Sequence, residues 1–127
     1  MNKTSNVTFS NAVVDLLAKK GVRYACISPG SRNAPLTNAF INHPKINCIS
    51  HIDERSGGFF GLGISKTSKD LVVILTTSGT ATANLFPAII EAKLSRTPLI
   101  ILTADRPLSL IGTGATQTID QINLYGN

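Results

Sequence analysis

Four short runs of this 127-residue chain are mainly apolar, and each is followed by a loop rich in polar residues or glycine. The runs lie at residues 24–27, 46–50, 71–75 and 99–103, and helical patterns separate them. Strands that are apolar on both faces are typical of a parallel sheet with helices packed on each side. We therefore predict one domain of the α/β class, built in three layers with the parallel sheet in the middle.

Helix signals fill the intervening segments. We expect Thr8 or Ser10 to cap the first helix, and Lys19-Lys20-Gly21 to end it with a C′ glycine. The predicted apolar stripe of this helix consists of Phe9, Val13, Leu16 and Leu17.

The later helices are predicted from their first residues. Pro35 suits the first turn of a short helix that runs to about Asn42. Another helix opens at Glu54, and the last runs from Thr80 through Lys93. Glycine costs about 1 kcal/mol per position inside a helix, so a close neighbour is expected at the glycines of the Glu54 helix. That neighbour is a cofactor ring, a partner subunit's helix or the chain's own sheet, and it faces Gly57, Gly58, Gly61 and Gly63.

Polar side chains cluster just past the predicted strand ends. In a parallel sheet, right-handed crossovers put every carboxyl end at one edge, where open α/β sheets hold ligands. Loops from four strands therefore meet there, and we predict a ligand site at this carboxyl edge. The side chains concerned are Ser31, Arg32, His51, Glu54, Thr77, Ser78, Thr80 and Arg106.

Glu54 is one of two glutamates in the chain and stands where the second run meets the glycine-rich helix. A sheltered carboxyl at this corner can act as a proton donor or acceptor. The alternative is a helix-start acid that satisfies free backbone N–H groups and the helix dipole. Asp53 and Arg55 can form a surface pair of little energetic weight. His51 is either a proton shuttle or a histidine satisfied at a strand end.

Two further features could bind anions. The hydroxyl-rich run at residues 76–80 precedes a helix, so it could hold an anion through backbone N–H groups, although we expect its hydroxyls to act as caps. The guanidinium groups of Arg32 and Arg106 offer planar forks for carboxylates. They suggest a substrate with more than one carboxylate, unless Arg106 simply pairs with Asp105.

Charge and hydropathy exclude other classes. The formal charge of +5 does not indicate nucleic-acid binding, because no basic stripe with interleaved aromatics is present. No apolar run is long enough to cross a bilayer and no secretory signal is visible, so we expect a cytoplasmic protein without membrane insertion. Cys26 and Cys48 lack metal-type spacing and are interpreted as buried free thiols, although a disulfide between them stays open. The lysines expected at helix ends are Lys19, Lys20, Lys66, Lys69 and Lys93.

Five motifs occur in the order found in a known family. They lie at residues 28–37 (SPGSRNAPLT), 51–55 (HIDER), 76–84 (TTSGTATAN), 102–107 (LTADRP) and 114–121 (GATQTIDQ). With them the chain, from about Asn11 onward, closely resembles the N-terminal part of the SEPHCHC synthase family, thiamine-diphosphate enzymes of menaquinone or phylloquinone biosynthesis. The resemblance implies the thiamine-diphosphate-binding fold and, for residues 1–127, an incomplete pyrimidine-binding domain.

The resemblance also implies roles for single residues. Glu54 is the catalytic acid and meets the aminopyrimidine of the cofactor. The further cofactor-binding residues are Pro29, Thr77 and Asn84. The residues that hold isochorismate are Ser31, Arg32, Arg106 and Gln117. Thr116 departs from the family pattern, where asparagine is expected, and its hydroxyl offers one hydrogen-bonding group fewer.

Family members decarboxylate 2-oxoglutarate and add the remaining succinyl semialdehyde unit to isochorismate by 1,4-addition. They work as homo-oligomers, dimers or tetramers, and their middle and diphosphate-binding domains follow the pyrimidine domain. The diphosphate and its Mg²⁺ or Mn²⁺ ion bind there, so we expect no metal site on this chain and no activity from it alone. The alternatives are the pyrimidine domain of another thiamine-diphosphate 2-oxo acid decarboxylase or carboligase, and a stand-alone α/β binding or dimerisation module.

Overall fold

Helices and strands alternate along the chain. A computed structural model describes residues 3–126, and side chains from Ser5 onward. The elements are α1 (Lys3–Lys19), β1 (Tyr24–Ile27), α2 (Ala34–Ile41), β2 (Asn47–Ser50), α3 (Glu54–Ser68), β3 (Val72–Thr76), α4 (Thr80–Ala83), α5 (Phe86–Leu94), β4 (Leu99–Thr103) and a 3₁₀ turn (Leu108–Leu110). Residues 111–126 form turns and loops. The α/β class is confirmed, and each predicted strand is present to within one residue at either end.

All four strands are parallel, in the order β2-β1-β3-β4. The central register pairs Tyr24 with Asn47 on one side and with Val72 on the other. The chain moves outward from β1 to β2 and then crosses back to β3 on the far side of β1. The loops after β1 and β3 therefore leave in opposite directions, which opens a crevice at the carboxyl edge of such sheets.

The predicted three layers follow from the alternation of side chains along the strands. Residues Ala25, Ile27, Val73 and Leu75 face α1 and α2 and share one apolar core with their buried side chains. Cys26 and Ile74 point to the opposite face, where they meet α3 at Gly61. The core side chains contributed by the two helices are Val14, Ala18, Ala39 and Phe40. Burying a side chain as large as Phe40 stabilises the fold by about 1.5–3 kcal/mol.

The strand register also determines the state of the cysteines. Cys48 pairs with Ala25, so it faces the α1 and α2 layer, whereas Cys26 faces α3. The two thiols therefore lie on opposite faces of the sheet and cannot bond without backbone movement. Both are free, as predicted, with Cys26 buried and Cys48 half-buried. Burial raises the pKa of the Cys26 thiol to about 11 and also raises that of Cys48.

The first helix begins earlier than predicted. α1 begins at Lys3, so Thr8 and Ser10 lie inside it and their assignment as caps is wrong. No proline or glycine between Lys3 and Lys19 interrupts the helical hydrogen bonds. The predicted stripe is also partly wrong, because Phe9 and Leu16 are 66% and 56% exposed. The buried face of α1 instead consists of the smaller residues Ser10, Val14 and Ala18.

The helix predicted from Thr80 through Lys93 is in fact two helices. α4 ends at Ala83, and α5 begins at Phe86. Pro87 lies in the first turn of α5. Since proline has no N–H to donate to the carbonyl four residues earlier, the hydrogen-bond ladder is interrupted there.

Helix ends otherwise match the sequence signals. Gly21 has φ of 99°, and the N–H of Val22 donates to the Leu17 carbonyl at 3.1 Å, as in a Schellman motif. Lysines occupy the last turns of α1, α3 and α5, where they offset the dipole; these are Lys19, Lys66 and Lys93. Within residues 3–126, every helix is too short or too polar to cross a membrane.

Candidate active site

The loops that follow the four strands lie together at the carboxyl edge, as predicted. They begin at Ser28, His51, Thr77 and Ala104. Backbone N–H groups of Ser28, His51 and Ala104 donate to carbonyls of the neighbouring strands at 2.9, 2.9 and 3.1 Å. Three of the four loops therefore start in register with the sheet.

Glu54 is the first residue of α3, but it does not cap that helix. Asp53 is the N-cap, and its Oδ1 accepts the N–H of Ser56 at 2.9 Å. That hydrogen bond lowers the pKa of Asp53, and Arg55 forms the predicted exposed pair with it at 3.9 Å. The capping role therefore belongs to Asp53, whereas Glu54 in the first turn still lies where an acid interacts favourably with the helix dipole. Glu54 is half-buried, and among residues 5–126, whose side chains are described, its carboxylate has no hydrogen-bond or ion-pair partner.

His51 packs tightly under the first turns of α3. A Cβ on Gly57 would lie 3.1 Å from the His51 ring, and the ring of Phe60 is 5.0 Å away between centroids. The Nε2 atom is buried and has no hydrogen-bond partner in the described part of the chain. The interpretation of His51 as a satisfied strand-end histidine is therefore wrong for this nitrogen.

Most of the glycines in α3 serve packing within the chain. A Cβ on Gly58 would lie 3.0 Å from Ala88 of α5, and one on Gly61 would lie 3.0 Å from Ile74 of β3. Together with Gly57 against His51, these contacts lie within the chain at three of the four positions, but packing on the sheet itself is confirmed only for Gly61. Gly63 differs, because nothing lies within 4 Å of its Cβ position.

The loop after β3 does not use hydroxyl caps. Gly79, with φ of 80° and ψ of −135°, is the N-cap of α4, and no side chain caps that helix, so the prediction of capping is wrong. Two hydroxyls, one in the loop and one in α4, donate to carbonyls instead. Ser78 Oγ donates to the Gln117 carbonyl at 2.8 Å, and Thr82 Oγ1 donates to the Thr77 carbonyl at 3.0 Å. These bonds hold the loop in one conformation.

Residues 117–125 lie across this loop, and sequence reasoning assigned no role to most of them. Gln121 Oε1 accepts the N–H of Gly79 at 2.8 Å, while its Nε2 donates to the Ala104 carbonyl at 3.1 Å. Its only sequence signal was its place at the end of the fifth motif. Gln117, predicted to bind substrate, is exposed, and its backbone carbonyl rather than its side chain meets Ser78.

The two loop arginines are placed differently. Arg32 lines a cavity of about 380 Å³ together with Ala104 and Asp105, so the loops after β1 and β4 do meet. Phe9 of α1 closes another side of this cavity. Arg106 does not line it. Asp105 accepts the backbone N–H of Arg106 at 2.7 Å, but within residues 3–126 no ion pair joins the two side chains, so the alternative of a surface pair is wrong.

The other predicted site residues are spread along the edge. Thr77 faces the loop after β1, since a Cβ on Gly30 would lie 2.6 Å from Thr77 Cβ. Ser31 is exposed in that loop. Pro29 lines a separate cavity of about 470 Å³ beside β2. Asn84 is exposed at the C-cap of α4, one helical turn beyond the loop.

Unpaired buried polar atoms concentrate at this edge. Among the described residues, five buried side-chain atoms lack a hydrogen-bond partner, and four of them end a strand or follow one. These four are His51 Nε2, Thr76 Oγ1, Thr77 Oγ1 and Arg106 Nε. Such atoms are rare in native structures and cost about 1–3 kcal/mol each when unsatisfied. Together with the free carboxylate of Glu54, these atoms can form hydrogen bonds to polar groups of a ligand at this edge.

The chain was compared with known proteins. Residues 7–124 match the family described as thiamine pyrophosphate enzyme, N-terminal TPP binding domain. Three relatives named 2-succinyl-5-enolpyruvyl-6-hydroxy-3-cyclohexene-1-carboxylate synthase come from Trichodesmium erythraeum, Halobacterium salinarum and Listeria welshimeri. They are 54%, 52% and 55% identical over 98%, 96% and 91% of this chain.

The chain matches only a small part of each relative. The chain spans 22%, 21% and 20% of their lengths, about a fifth. Within residues 3–126, no group of three or more His, Cys, Asp or Glu side chains is placed to hold a metal ion. The parallel sheet, the half-buried acid after β2 and the match over residues 7–124 agree with one another. The chain therefore belongs to the thiamine pyrophosphate enzymes, as a member of the family of their N-terminal TPP-binding domains.

Proposed function

We propose that this chain is the pyrimidine-binding part of a thiamine-diphosphate-dependent SEPHCHC synthase of menaquinone biosynthesis. The complete enzyme is a transferase that decarboxylates 2-oxoglutarate and adds the succinyl semialdehyde unit to isochorismate. Relatives with that name are about half identical to the chain. The observation that carries the proposal is the free carboxylate of Glu54 at the carboxyl edge, where Asp53 has taken over the capping of α3.

Glu54 is proposed to hold a proton at the ring nitrogen of the aminopyrimidine. Its half-buried position at the start of α3 shelters the carboxyl from bulk water while leaving it without a competing partner. Thiamine diphosphate, when bound, supplies the electron sink for decarboxylation. Thr77, whose buried hydroxyl lacks a partner among the described residues, is proposed to contact the cofactor together with Pro29 and Asn84.

The substrate side is proposed to lie at the loops after β1 and β4. Ser31, Arg32, Arg106 and Gln117 would hold isochorismate, because guanidinium forks match carboxylates. Two observations support this assignment. Arg32 shares a cavity with Ala104 and Asp105, and Arg106 Nε is buried without a partner in the described chain.

The remaining parts of the enzyme are proposed to lie outside this chain. The diphosphate and its Mg²⁺ or Mn²⁺ ion would bind to another domain, and a second subunit of a homo-oligomer would complete each site. The chain by itself is therefore expected to be inactive. A cytoplasmic location is proposed for the whole enzyme.

The test is Glu54→Gln in the complete enzyme, with Asp53→Asn as its matched neighbour. Glu54→Gln should slow exchange of the cofactor's thiazolium C2 proton by about a hundredfold to ten-thousandfold, the usual worth of a general acid or base, with cofactor binding retained. Asp53→Asn keeps an N-cap side chain and removes only its charge, so it should retain exchange. Unchanged exchange in Glu54→Gln would remove Glu54 from the chemistry. Product formation from isochorismate, compared with pyruvate as the only substrate, separates this function from that of another 2-oxo acid carboligase.

A further inference from the structure

The loops after β3 and β4 are joined by the sheet at their first residues. Thr76 pairs with Thr103 in the last rung of the two strands, and the N–H of Ala104 donates to the Thr76 carbonyl at 3.1 Å. Beyond these bonds the two loops separate into Ser78-Gly79 on one side and Asp105-Arg106 on the other. Their separation must then be maintained by something other than strand pairing.

The side-chain amide of Gln121 spans this separation. Its Oε1 accepts from Gly79 N–H on one loop, and its Nε2 donates to the Ala104 carbonyl on the other, at 2.8 and 3.1 Å. Both bonds are partly buried. An amide carries one acceptor and one donor group at its end, so it suits a backbone N–H and a backbone carbonyl at once. A carboxylate or an ammonium of similar length could make only one of the two bonds.

Contacts on both sides of Gln121 keep its backbone in place. Before it, the Gln117 carbonyl accepts from Ser78 Oγ at 2.8 Å. A Cβ on Gly79 would lie 2.7 Å from the Gln117 backbone, so the two segments touch directly. After it, Tyr125 OH donates to the Thr82 carbonyl at 2.7 Å. The segment that carries the Gln121 amide, residues 117–125, is therefore itself held against the loop and α4.

We infer that Gln121 is a positioning residue, which sets the spacing between the loop after β3 and the loop after β4. Because Arg106 lies two residues beyond Ala104, the bond from Gln121 positions the backbone that carries Arg106, whose guanidinium is proposed to receive a substrate carboxylate. This inference rests on the proposed function, in which Arg106 binds isochorismate. Gln121 acts through Arg106 and makes no contact with the substrate itself.

The experiment uses the complete enzyme with Gln121→Met, which keeps the length of the side chain and removes both hydrogen bonds. We expect the KM for isochorismate to rise roughly tenfold, about the worth of a hydrogen bond, with kcat and the KM for 2-oxoglutarate nearly unchanged. Gln121→Glu keeps only the bond to Gly79 N–H and should show a rise of similar size, because the link to Ala104 is lost. Ile122→Ala alters an adjacent side chain that is 63% exposed and should leave all constants unchanged.

The outcomes are distinguishable. A loss of folded enzyme alone would lower the apparent kcat and leave the KM values as they are, and that result overturns the positioning role. A wild-type KM for isochorismate in Gln121→Met overturns it as well. If the wild-type enzyme forms no product from isochorismate, the proposed function fails, and the inference fails with it.

Discussion

Replacement of Gly79 by alanine tests whether residues 117–125 are truly seated on the loop after β3. Gly79 has φ of 80° and ψ of −135°, a conformation that side chains rarely adopt. A Cβ there would lie 2.7, 2.8 and 2.9 Å from the backbone C, Cα and O atoms of Gln117. These are main-chain atoms, so no side-chain rotation can relieve the contact.

The magnitude follows from these two observations. Unfavourable backbone torsions cost about 1–3 kcal/mol, and overpacking against fixed atoms costs about 1–3 kcal/mol more. The displaced segment would also lose the bond from Gly79 N–H to Gln121. We therefore expect Gly79→Ala to lower the free energy of unfolding by about 2–6 kcal/mol, which corresponds to roughly 10 °C or more in Tm for a domain of this size.

Gly63→Ala is the matched control. Gly63 lies inside α3, and no atom is within 4 Å of its Cβ position. Alanine should therefore raise stability by up to about 1 kcal/mol through helix propensity alone. Calorimetry and urea unfolding of both variants give the comparison. If Gly79→Ala melts within a degree or two of the wild type, the close approach of Gln117 to Gly79 does not exist in solution.

Three further predictions concern titration and thiol chemistry. The hydrogen bond from Ser56 N–H lowers the pKa of Asp53, so the stabilisation from this bond is full above the ordinary pKa of an aspartate and disappears as the pH falls through the lowered value. In Asp53→Asn, the free energy of unfolding measured with urea should therefore depend less on pH in acid. An unaltered dependence on pH in acid contradicts this. Burial raises the pKa of Tyr125 to about 12, so the stabilisation from its hydroxyl is full below the tyrosine pKa of the unfolded chain and is lost as the pH rises toward 12. Tyr125→Phe should remove this loss of stability in alkali. At neutral pH the same substitution should lower the free energy of unfolding by about 0.5–1.5 kcal/mol, because the hydrogen bond to Thr82 is lost. Mild oxidants should form no disulfide between Cys26 and Cys48 in the folded chain, because they lie on opposite faces of the sheet; mass spectrometry under non-reducing conditions would reveal one if this placement is wrong.

The strands were predictable from their apolar residues, most clearly β3, in which all five residues are buried. A strand buried on both faces must be apolar at successive positions, and that pattern is readable without knowing its neighbours. The helices were less predictable in their details. Pro87 divides the last helix, although proline in a first turn and proline within a helix look alike in sequence. The buried face of α1 was misjudged by about one residue, because the fold buries the small side chains of Ser10 and Ala18 rather than the larger Phe9 and Leu16.

The candidate site was also only partly predictable from the sequence. The position of Glu54 after the second strand could be predicted, since strand ends and helix starts leave local signals. It could not be predicted which of the two adjacent acids caps α3. Asp53 and Glu54 both suit a helix start, and only the backbone geometry selects Asp53. Gln121 was missed because its bond to Gly79 joins residues 42 positions apart, and nothing local marks such a bridge.

By itself the sequence determined the layered α/β fold, the edge at which polar side chains gather and the acid that stands there. These follow from local apolar patterning and from the handedness of crossovers, which hold wherever such patterns occur. Only the tertiary structure decided which polar groups are satisfied and which remain free. Hydrogen bonds and burial depend on atoms brought together from distant parts of the chain, so the free carboxylate of Glu54 and the bridge made by Gln121 became visible only in the folded molecule.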